Sequence, residues 1–134
     1  MRFDLINYLF NFIGSPYAWG KEGPSKLGFD CSGLMLEGLR SIGKWGKDDA
    51  SSQGIFNKFE PSNSLITLGK ADCGCLLFFG KDKKSITHIG LAINNYQYIE
   101  AGGGDSKTVD KGMVRIRPLS WRKDLVAVID IFKE

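Results

Sequence analysis

Cysteine and histidine are scarce in this sequence, and no apolar run is long enough to cross a membrane as a helix. Among 134 residues there are three cysteines and one histidine: Cys31, Cys73, Cys75 and His88. Three cysteines cannot all pair, and the side chains of Cys73 and Cys75 are expected to run side by side along one segment. We therefore expect reduced thiols, no disulfide framework and no transmembrane helix.

Charge and composition narrow the class of protein further. The net charge of +3, from 18 basic and 15 acidic residues, is too small to require a nucleic-acid partner. The three tryptophans are scattered and form no stacking platform for bases. With 43% hydrophobic and 25% charged residues, and no repeat or linker, the sequence is typical of one globular domain over residues 1–134.

The first half of the chain has helical periodicity. The N-terminal segment contains an early acid, Asp4, and no small-residue cleavage site, so we interpret it as a helix and not as a signal peptide. Gly14-Ser15-Pro16 is expected to stop that helix, and residues 17–30 are too rich in glycine and proline to be anything but a loop. Two further helices are predicted, from about Cys31 to Ile42 and from about Ser51 to Phe59.

The second half changes to strand-like runs separated by turns. Five are predicted: Cys75–Phe79, Ile86–Ile93, Tyr96–Ala101, Val114–Arg117 and Val126–Phe132. Helices followed by strands indicate the α+β class, with the N-terminal helices packed on one face of an antiparallel sheet.

The stretch Gly28-Phe-Asp-Cys-Ser-Gly-Leu34 carries the strongest chemical signal. It places Cys31 where a glycine-rich loop opens a helix. The positive end of the helix dipole lowers a thiol pKa there and leaves the sulfur accessible from the loop. A thiolate at this position is suited to nucleophilic attack. On position alone, a small buried hydrophobic residue is an equally open interpretation.

A cysteine nucleophile needs a base, and His88 is the single histidine of the chain. A lone histidine is more often structural or exposed than catalytic, so the case for a catalytic His88 depends on its neighbours. Strand alternation predicts that His88 shares a face with Ile86, Gly90 and Ala92. The two small residues are expected to leave room beside the imidazole for a helix end or a substrate.

The residue that orients the imidazole depends on the hairpin register. A two-residue turn at Asn94-Asn95 puts Glu100 on the face away from His88. A three-residue loop over residues 94–96 pairs Gly90 with Glu100 and puts the carboxylate on the face of His88. We prefer the second register because it gathers the apolar side chains on the other face, with Asn95 in a left-handed conformation. Glu100 then completes a Cys31–His88–Glu100 relay, although an exposed glutamate at a strand end stays open.

Six segments together resemble the NlpC/P60 cysteine peptidases, in order and spacing, over about residues 14–102. They are Tyr17-Ala-Trp-Gly20, Gly28-Phe-Asp-Cys-Ser-Gly-Leu34, Ser52-Gln53, Leu76-Leu-Phe-Phe79, His88-Ile-Gly90 and Tyr98-Ile-Glu-Ala101. The cysteine block with its downstream histidine motif is specific. The resemblance implies a papain-like α+β core, which agrees with the fold class that the periodicity predicts.

The resemblance also implies roles for individual residues. Cys31 would be the nucleophile, with its backbone N–H as an oxyanion donor, and His88 the base. Glu100 would take the third, polar position, which is most often histidine in this family. Tyr17 would line the site, and Asp30 and Ser32 would contact the amino group of a bound peptide. The implied reaction is hydrolysis of an amide in bacterial peptidoglycan stem peptides, typically between γ-D-glutamate and a diamino acid, without metal or organic cofactor.

Two departures from the family pattern stand out. The family commonly has Trp-Gly-Gly after its tyrosine, whereas this chain has Lys21 at the third of those positions, which is expected to alter the rim of the cleft. Gly74-Cys75 stands where members usually have Gly-Asp before the first strand. Because a Cys-x-Cys pair with one distant histidine has too few ligands for zinc, we interpret Cys73 and Cys75 as buried small residues.

The cellular setting follows from analogy. Peptidoglycan lies outside the cytoplasm and no signal peptide is visible. We therefore expect delivery to the wall by a phage particle or lysis system, or by a secretion machine, without membrane insertion. Lys81, Lys83 and Lys84 are predicted to form a solvated turn, or else to hold an anionic wall polymer. Two other functions stay open: a non-hydrolytic phage-tail, assembly or wall-binding module, and a thiol acyltransferase or deamidase.

Overall fold

The computed structural model describes residues 1–17, 29–62, 65–66, 71–102 and 112–132. The three predicted helices are confirmed, as α1 (Arg2–Phe10), α2 (Cys31–Ser41) and α3 (Ser52–Phe59). Short 3-10 turns follow at Glu60–Ser62 and Leu119–Trp121. Within those ranges, no helix has the length and apolar character needed to span a bilayer.

In the described part of the chain, six antiparallel strands form one sheet in the order β1-β6-β2-β3-β4-β5. They are β1 (Leu65–Ile66), β2 (Leu76–Gly80), β3 (Ile86–Ala92), β4 (Gln97–Gly102), β5 (Met113–Pro118) and β6 (Leu125–Ile129). The sequence predicted five of these, and β1 was missed because two residues show no period. The α+β prediction, with helices packed on an antiparallel sheet, is confirmed.

A close crossing of α1 and α2 fixes the direction of the helix that begins at Cys31. At Gly38 an added Cβ would lie 2.7 Å from a methyl carbon of Leu5 and 2.9 Å from one of Leu9. A larger residue there would have to displace these two buried leucine side chains. The apolar side of α2 packs against the sheet, with Leu34 and Leu39 completely buried.

The sheet buries side chains on both faces. The face toward the helices carries Phe78, Ile89, Leu91 and Ile99, among others. A second cluster of buried residues covers the opposite face, and it includes Leu77, Phe79, Ala92, Tyr98 and Val128. The imidazole of His88 belongs with the second group, because its ring lies 5.5 Å from that of Phe79.

The β3–β4 hairpin has the predicted register. Leu91 pairs with Ile99 and Ala92 with Tyr98, which requires the three-residue loop. The prediction for Asn95 was wrong, because no non-glycine residue in the described ranges has a positive φ. The turn is instead closed by the Asn94 side chain, whose Oδ1 accepts from the N–H groups of residues 96 and 97 at 3.0 and 2.8 Å.

Two expectations about the surroundings of His88 need correction, one of them only in part. The pairing of β2 with β3 shifts between Phe79 and Gly80, and this irregularity turns Ile86 into the helix-side core, away from His88. The room predicted beside Gly90 is filled by Tyr98, since a Cβ at Gly90 would lie 2.7 Å from its ring. Tyr98 of the neighbouring strand therefore occupies that space. A helix end does reach the imidazole, because Cys31, the first residue of α2, hydrogen-bonds His88.

The remaining predictions have mixed outcomes. All three cysteines are free; Cys75 is buried as predicted, but Cys73 is only half-buried. The lysine-rich segment 81–84 is an exposed turn between β2 and β3. Trp19, Gly20, Lys21 and Gly28 lie outside the described residues.

Candidate active site

The start of α2 is fixed by a side-chain cap. Asp30 is the N-cap, and its Oδ1 accepts a hydrogen bond from the N–H of Gly33 at 2.7 Å. Ser32 donates to the same oxygen at 3.4 Å. An N-cap of this kind satisfies one of the open donors of the first helical turn. Cys31 is therefore the first residue of a rigid helix, with only 9% of its surface exposed.

The Cys31 thiol has two hydrogen-bonding neighbours from other elements. Its Sγ lies 3.5 Å from Oγ of Ser52, at the start of α3, and it also hydrogen-bonds the imidazole of His88 on β3. Burial alone would raise the pKa of the Cys31 thiol. The hydrogen bond and charge of His88, aided by Ser52, outweigh burial and bring the pKa below its ordinary value.

The opposite edge of the imidazole is bound to Glu100 on β4. Nε2 of His88 lies 2.7 Å from Oε1 of Glu100, and the two residues are 7% and 3% exposed. Because Nε2 is engaged with the carboxylate, Nδ1 is the nitrogen left for Cys31. Burial disfavours the imidazolium, but hydrogen bonds to Cys31 and Glu100 outweigh it and raise the pKa of His88. The opposite shifts of Cys31 and His88 favour a thiolate–imidazolium pair.

The second oxygen of Glu100 faces two cations from β5. Oε2 lies 3.9 Å from Nε of Arg115 and 3.9 Å from Nε of Arg117. Burial would raise the pKa of the Glu100 carboxyl, but the hydrogen bond and charge of His88 come next in size and prevail. Tyr98 and Arg115 act in the same direction, so the pKa of Glu100 is lowered and the group is ionised.

Tyr17 closes the site on the side of the helix N-terminus. Its hydroxyl accepts a hydrogen bond from the backbone N–H of Cys31. Burial, and then the negative charges of Cys31 and Asp30, raise the pKa of Tyr17, so the phenol keeps its proton. The sequence-derived residues Tyr17, Asp30, Cys31, His88 and Glu100 are thus brought together, and Ser32 lies at the edge, bound to Asp30.

Gln53 connects α3 to the segment that leads into His88. Its Oε1 accepts from the N–H of Ile86 at 2.8 Å, and its Nε2 donates to the carbonyl of Lys83 at 2.9 Å. The neighbouring residue of α3, Ser52, contacts the thiol. One turn of α3 therefore positions both the Cys31 sulfur and the beginning of β3.

The described residues hold no group of three or more His, Cys, Asp or Glu side chains arranged to bind a metal ion. The chemistry available at this site is that of a thiolate and a carboxylate that both hydrogen-bond one imidazolium. Such a set can attack a carbonyl carbon, give a proton to a leaving group and stabilise the charged imidazole between the two steps.

Comparison with known proteins agrees with this arrangement. The model of the NlpC/P60 family matches residues 14–129. The chain is 31% identical, over 93 residues, to the probable peptidoglycan endopeptidase LytE of Bacillus subtilis, covering 67% of this chain and 24% of that protein. It is 29% identical over 133 residues to dipeptidyl-peptidase 6 of Lysinibacillus sphaericus, covering 96% of this chain and 42% of that protein.

A solved structure gives the same result. The P60 domain of an antigen from M. avium subspecies paratuberculosis superposes with a TM-score of 0.76 at 28% identity, covering 99% of this chain and 96% of that one. The chain belongs to the NlpC/P60 family. It spans about a quarter of LytE and less than half of dipeptidyl-peptidase 6, the curated relatives named above.

Three side chains at the site were given no role by sequence reasoning. Ser52 was part of the family resemblance, but a single hydroxyl at a helix start gives no signal of contact with a thiol. Arg115 and Arg117 alternate with apolar residues on β5, as charged residues on a solvated strand face do. Only the pairing of β4 with β5 reveals that this face carries Glu100.

Proposed function

We propose that this protein is a cysteine hydrolase that cleaves an amide bond in the stem peptides of bacterial peptidoglycan. Cys31 is the nucleophile, His88 the proton carrier and Glu100 the residue that orients the imidazole. The observation that carries the proposal is the hydrogen-bonded line from Sγ of Cys31 through His88 to Oε1 of Glu100. The relatives named as peptidoglycan endopeptidases support the choice of substrate.

The first half of the reaction forms a thioester. The Cys31 thiolate attacks the scissile carbonyl carbon, and the C–N bond breaks as the imidazolium of His88 gives its Nδ1 proton to the departing amine. The carbonyl oxygen carries negative charge in between. We assign the backbone N–H of Cys31 and the hydroxyl of Tyr17 as its donors. The N–H donates to the Tyr17 oxygen in the free site, and the oxyanion takes the place of that oxygen as acceptor.

The second half hydrolyses the thioester. The now neutral His88 takes a proton from water, whose oxygen attacks the acyl carbon and displaces the Cys31 thiolate. The products are the free acid and the thiolate–imidazolium pair, so no oxidant, reductant or cofactor enters the balance. Glu100 keeps the imidazole in one orientation throughout and stabilises its charged form.

The finer substrate assignment is a bond between γ-D-glutamate and a diamino acid. Asp30 and Ser32 lie beside the nucleophile, and the negative charge of Asp30 is suited to the free amino group of a short stem peptide. We therefore propose that Asp30 and Ser32 bind that amino group. This contact would fix the distance between the amino group and the scissile amide.

The experiment is digestion of purified sacculi and of a defined muropeptide mixture, followed by mass spectrometry of the soluble products. Wild type, Cys31→Ala and Cys73→Ser are compared, the last removing a half-buried thiol outside the site. We expect wild type and Cys73→Ser to give the same new fragments, and Cys31→Ala to lose at least about 10³-fold in rate.

The same digestion separates the alternatives. Intact muropeptides with all three proteins would contradict the proposal and favour a non-hydrolytic wall-binding or assembly module. A parallel reaction with an added primary amine distinguishes transfer from hydrolysis. If the acyl group moves mainly to the amine at low amine concentration, the protein is an acyltransferase and the water step above is wrong.

A further inference from the structure

We propose that Arg115 and Arg117 are positioning residues that hold Glu100 as a charge-balanced carboxylate behind His88. The inference rests on the proposed function, because it names residues that tune the proposed Cys31–His88–Glu100 set. It extends that set from three residues to five and gives the two arginines a purpose in the proton transfer.

The carboxylate of Glu100 is held from two sides. One oxygen is hydrogen-bonded to the imidazole of His88 at 2.7 Å, and the other lies 3.9 Å from Nε of each arginine. Glu100 is 3% exposed, so water cannot balance its charge. A buried carboxylate without cationic partners would be costly or protonated. The arginines supply the partners that water does not.

Strand pairing explains why both arginines reach the same oxygen. Arg115 lies directly opposite Glu100 in the β4–β5 ladder, and Arg117 lies opposite Tyr98, one diagonal step away on the same face. An exposed aromatic ring holds the second guanidinium. The centre of the Arg117 guanidinium stacks 3.9 Å from the ring centroid of Trp121, which is 56% exposed.

Charge balance gives the arrangement a chemical consequence. A buried carboxylate bound to an imidazolium makes that imidazolium a weak acid, which is poorly suited to give its proton to a leaving amine. The positive charges of the two guanidinium groups partly cancel the negative electrostatic potential that Glu100 produces at the imidazole. They keep Glu100 ionised, so that it orients His88, and they limit how far it raises the pKa of His88.

Other charged or titratable groups surround the same pair, and each is accounted for in the test. They are Tyr17, Asp30 and Cys31 near the start of α2, Tyr98 on β4, and Arg122 and Asp124 before β6. None of these is changed in the variants below. A shift of the His88 titration between the variants therefore reports the altered arginine alone.

The test uses the fact that His88 is the single histidine of the chain. Its imidazole NMR signals need no assignment, and their pH titration is recorded for wild type, Arg115→Gln, Arg117→Gln and Arg117→Lys. Lys123→Gln, which removes one exposed charge nearby, is the control. In each single variant His88 and the remaining arginine keep Glu100 ionised. We therefore expect each Arg→Gln change to raise the pKa of His88 by about one unit. Arg117→Lys should restore most of the wild-type value, and Lys123→Gln should leave it unchanged.

Activity adds a second readout. In the Arg→Gln variants kcat should fall while KM stays near the wild-type value, and the alkaline limb of the pH profile should move upward with the pKa of His88. A His88 pKa that is unchanged or lowered in both variants, or that moves equally in Lys123→Gln, would overturn the proposal. If Arg115→Gln does not fold, the test uses Arg117→Gln and Trp121→Ala instead. Trp121→Ala is expected to raise the pKa of His88 by less than Arg117→Gln does.

The titration needs no wall substrate, so it separates this inference from the proposed function. A shifted His88 pKa in a protein that cleaves no muropeptide would support the arginine assignment while contradicting the choice of substrate. An unshifted His88 pKa in a protein that cleaves muropeptides would support the proposed function and contradict the arginine assignment.

Discussion

Nε2 of His88 and Oε1 of Glu100 lie 2.7 Å apart, in a pair of which neither residue is more than 7% exposed. A hydrogen bond this short between buried groups holds the imidazole in one orientation and one tautomer. It leaves the other ring nitrogen for Cys31. The reactivity of the thiol therefore depends on a carboxylate that does not touch it.

Replacing Glu100 by Gln should separate orientation from charge. The amide can keep a hydrogen bond to the imidazole but no longer stabilises its charge, while the cations of β5 remain. The pKa of His88 should therefore fall, and kcat should drop about 100-fold or more. Steady-state kinetics and the NMR titration of His88 check this, with Glu37→Gln, on the far side of α2 with Tyr8, as control. Equal losses in both variants would contradict the assignment.

Adjacent serines offer a matched pair of variants. Ser52→Ala removes the hydroxyl 3.5 Å from the Cys31 sulfur and should raise the thiol pKa, since a hydrogen bond to the thiolate is lost. Ser51→Ala removes the cap of α3, which accepts from Gly54, and should cost about 1 kcal/mol of stability. Alkylation rates should change only in the first variant and the unfolding midpoint mainly in the second. The opposite pattern would refute the distinction.

Gln53→Ala should loosen the start of β3. Two hydrogen bonds that join α3 to residues 83 and 86 are lost, one of them to a part-buried N–H, at a cost of about 1–3 kcal/mol. Hydrogen exchange at Ile86 should quicken, and kcat should fall because His88 lies two residues further along. Gln97→Ala, in the β3–β4 turn with Asn94, serves as control. Unchanged exchange at Ile86 would show that the strand start is held by other contacts.

The register of the β3–β4 hairpin could be predicted because side-chain pattern and register are linked. A shift of one residue would have put Leu91 and Ile99 on opposite faces of the sheet, and the apolar residues of both strands excluded that. The same pattern placed Glu100 beside His88. The conformation of the turn was predicted for the wrong reason. The Asn94 side chain closes it by a hydrogen bond, and such a bond leaves no periodic pattern in the sequence.

The features that could not be predicted from the sequence depend on contacts between distant segments. The irregularity that turns Ile86 into the helix-side core arises where β2 meets β3, and local alternation cannot show it. Arg115 and Arg117 resemble ordinary surface residues until β5 is paired with β4. Their role follows from the sheet and not from any motif.

The pH dependence of Cys31 alkylation tests most directly whether the thiol and imidazole form an ion pair. Iodoacetamide labelling is followed by mass spectrometry at each pH, with Cys75, whose pKa burial raises, as internal reference. The lowered Cys31 pKa predicts that labelling of Cys31 rises below the pH of an ordinary thiol. In His88→Ala, only the hydrogen bond of Ser52 still acts against burial, so the midpoint should move above that pH. A Cys31 midpoint at or above the ordinary value in wild type, or one unmoved by His88→Ala, would contradict the account.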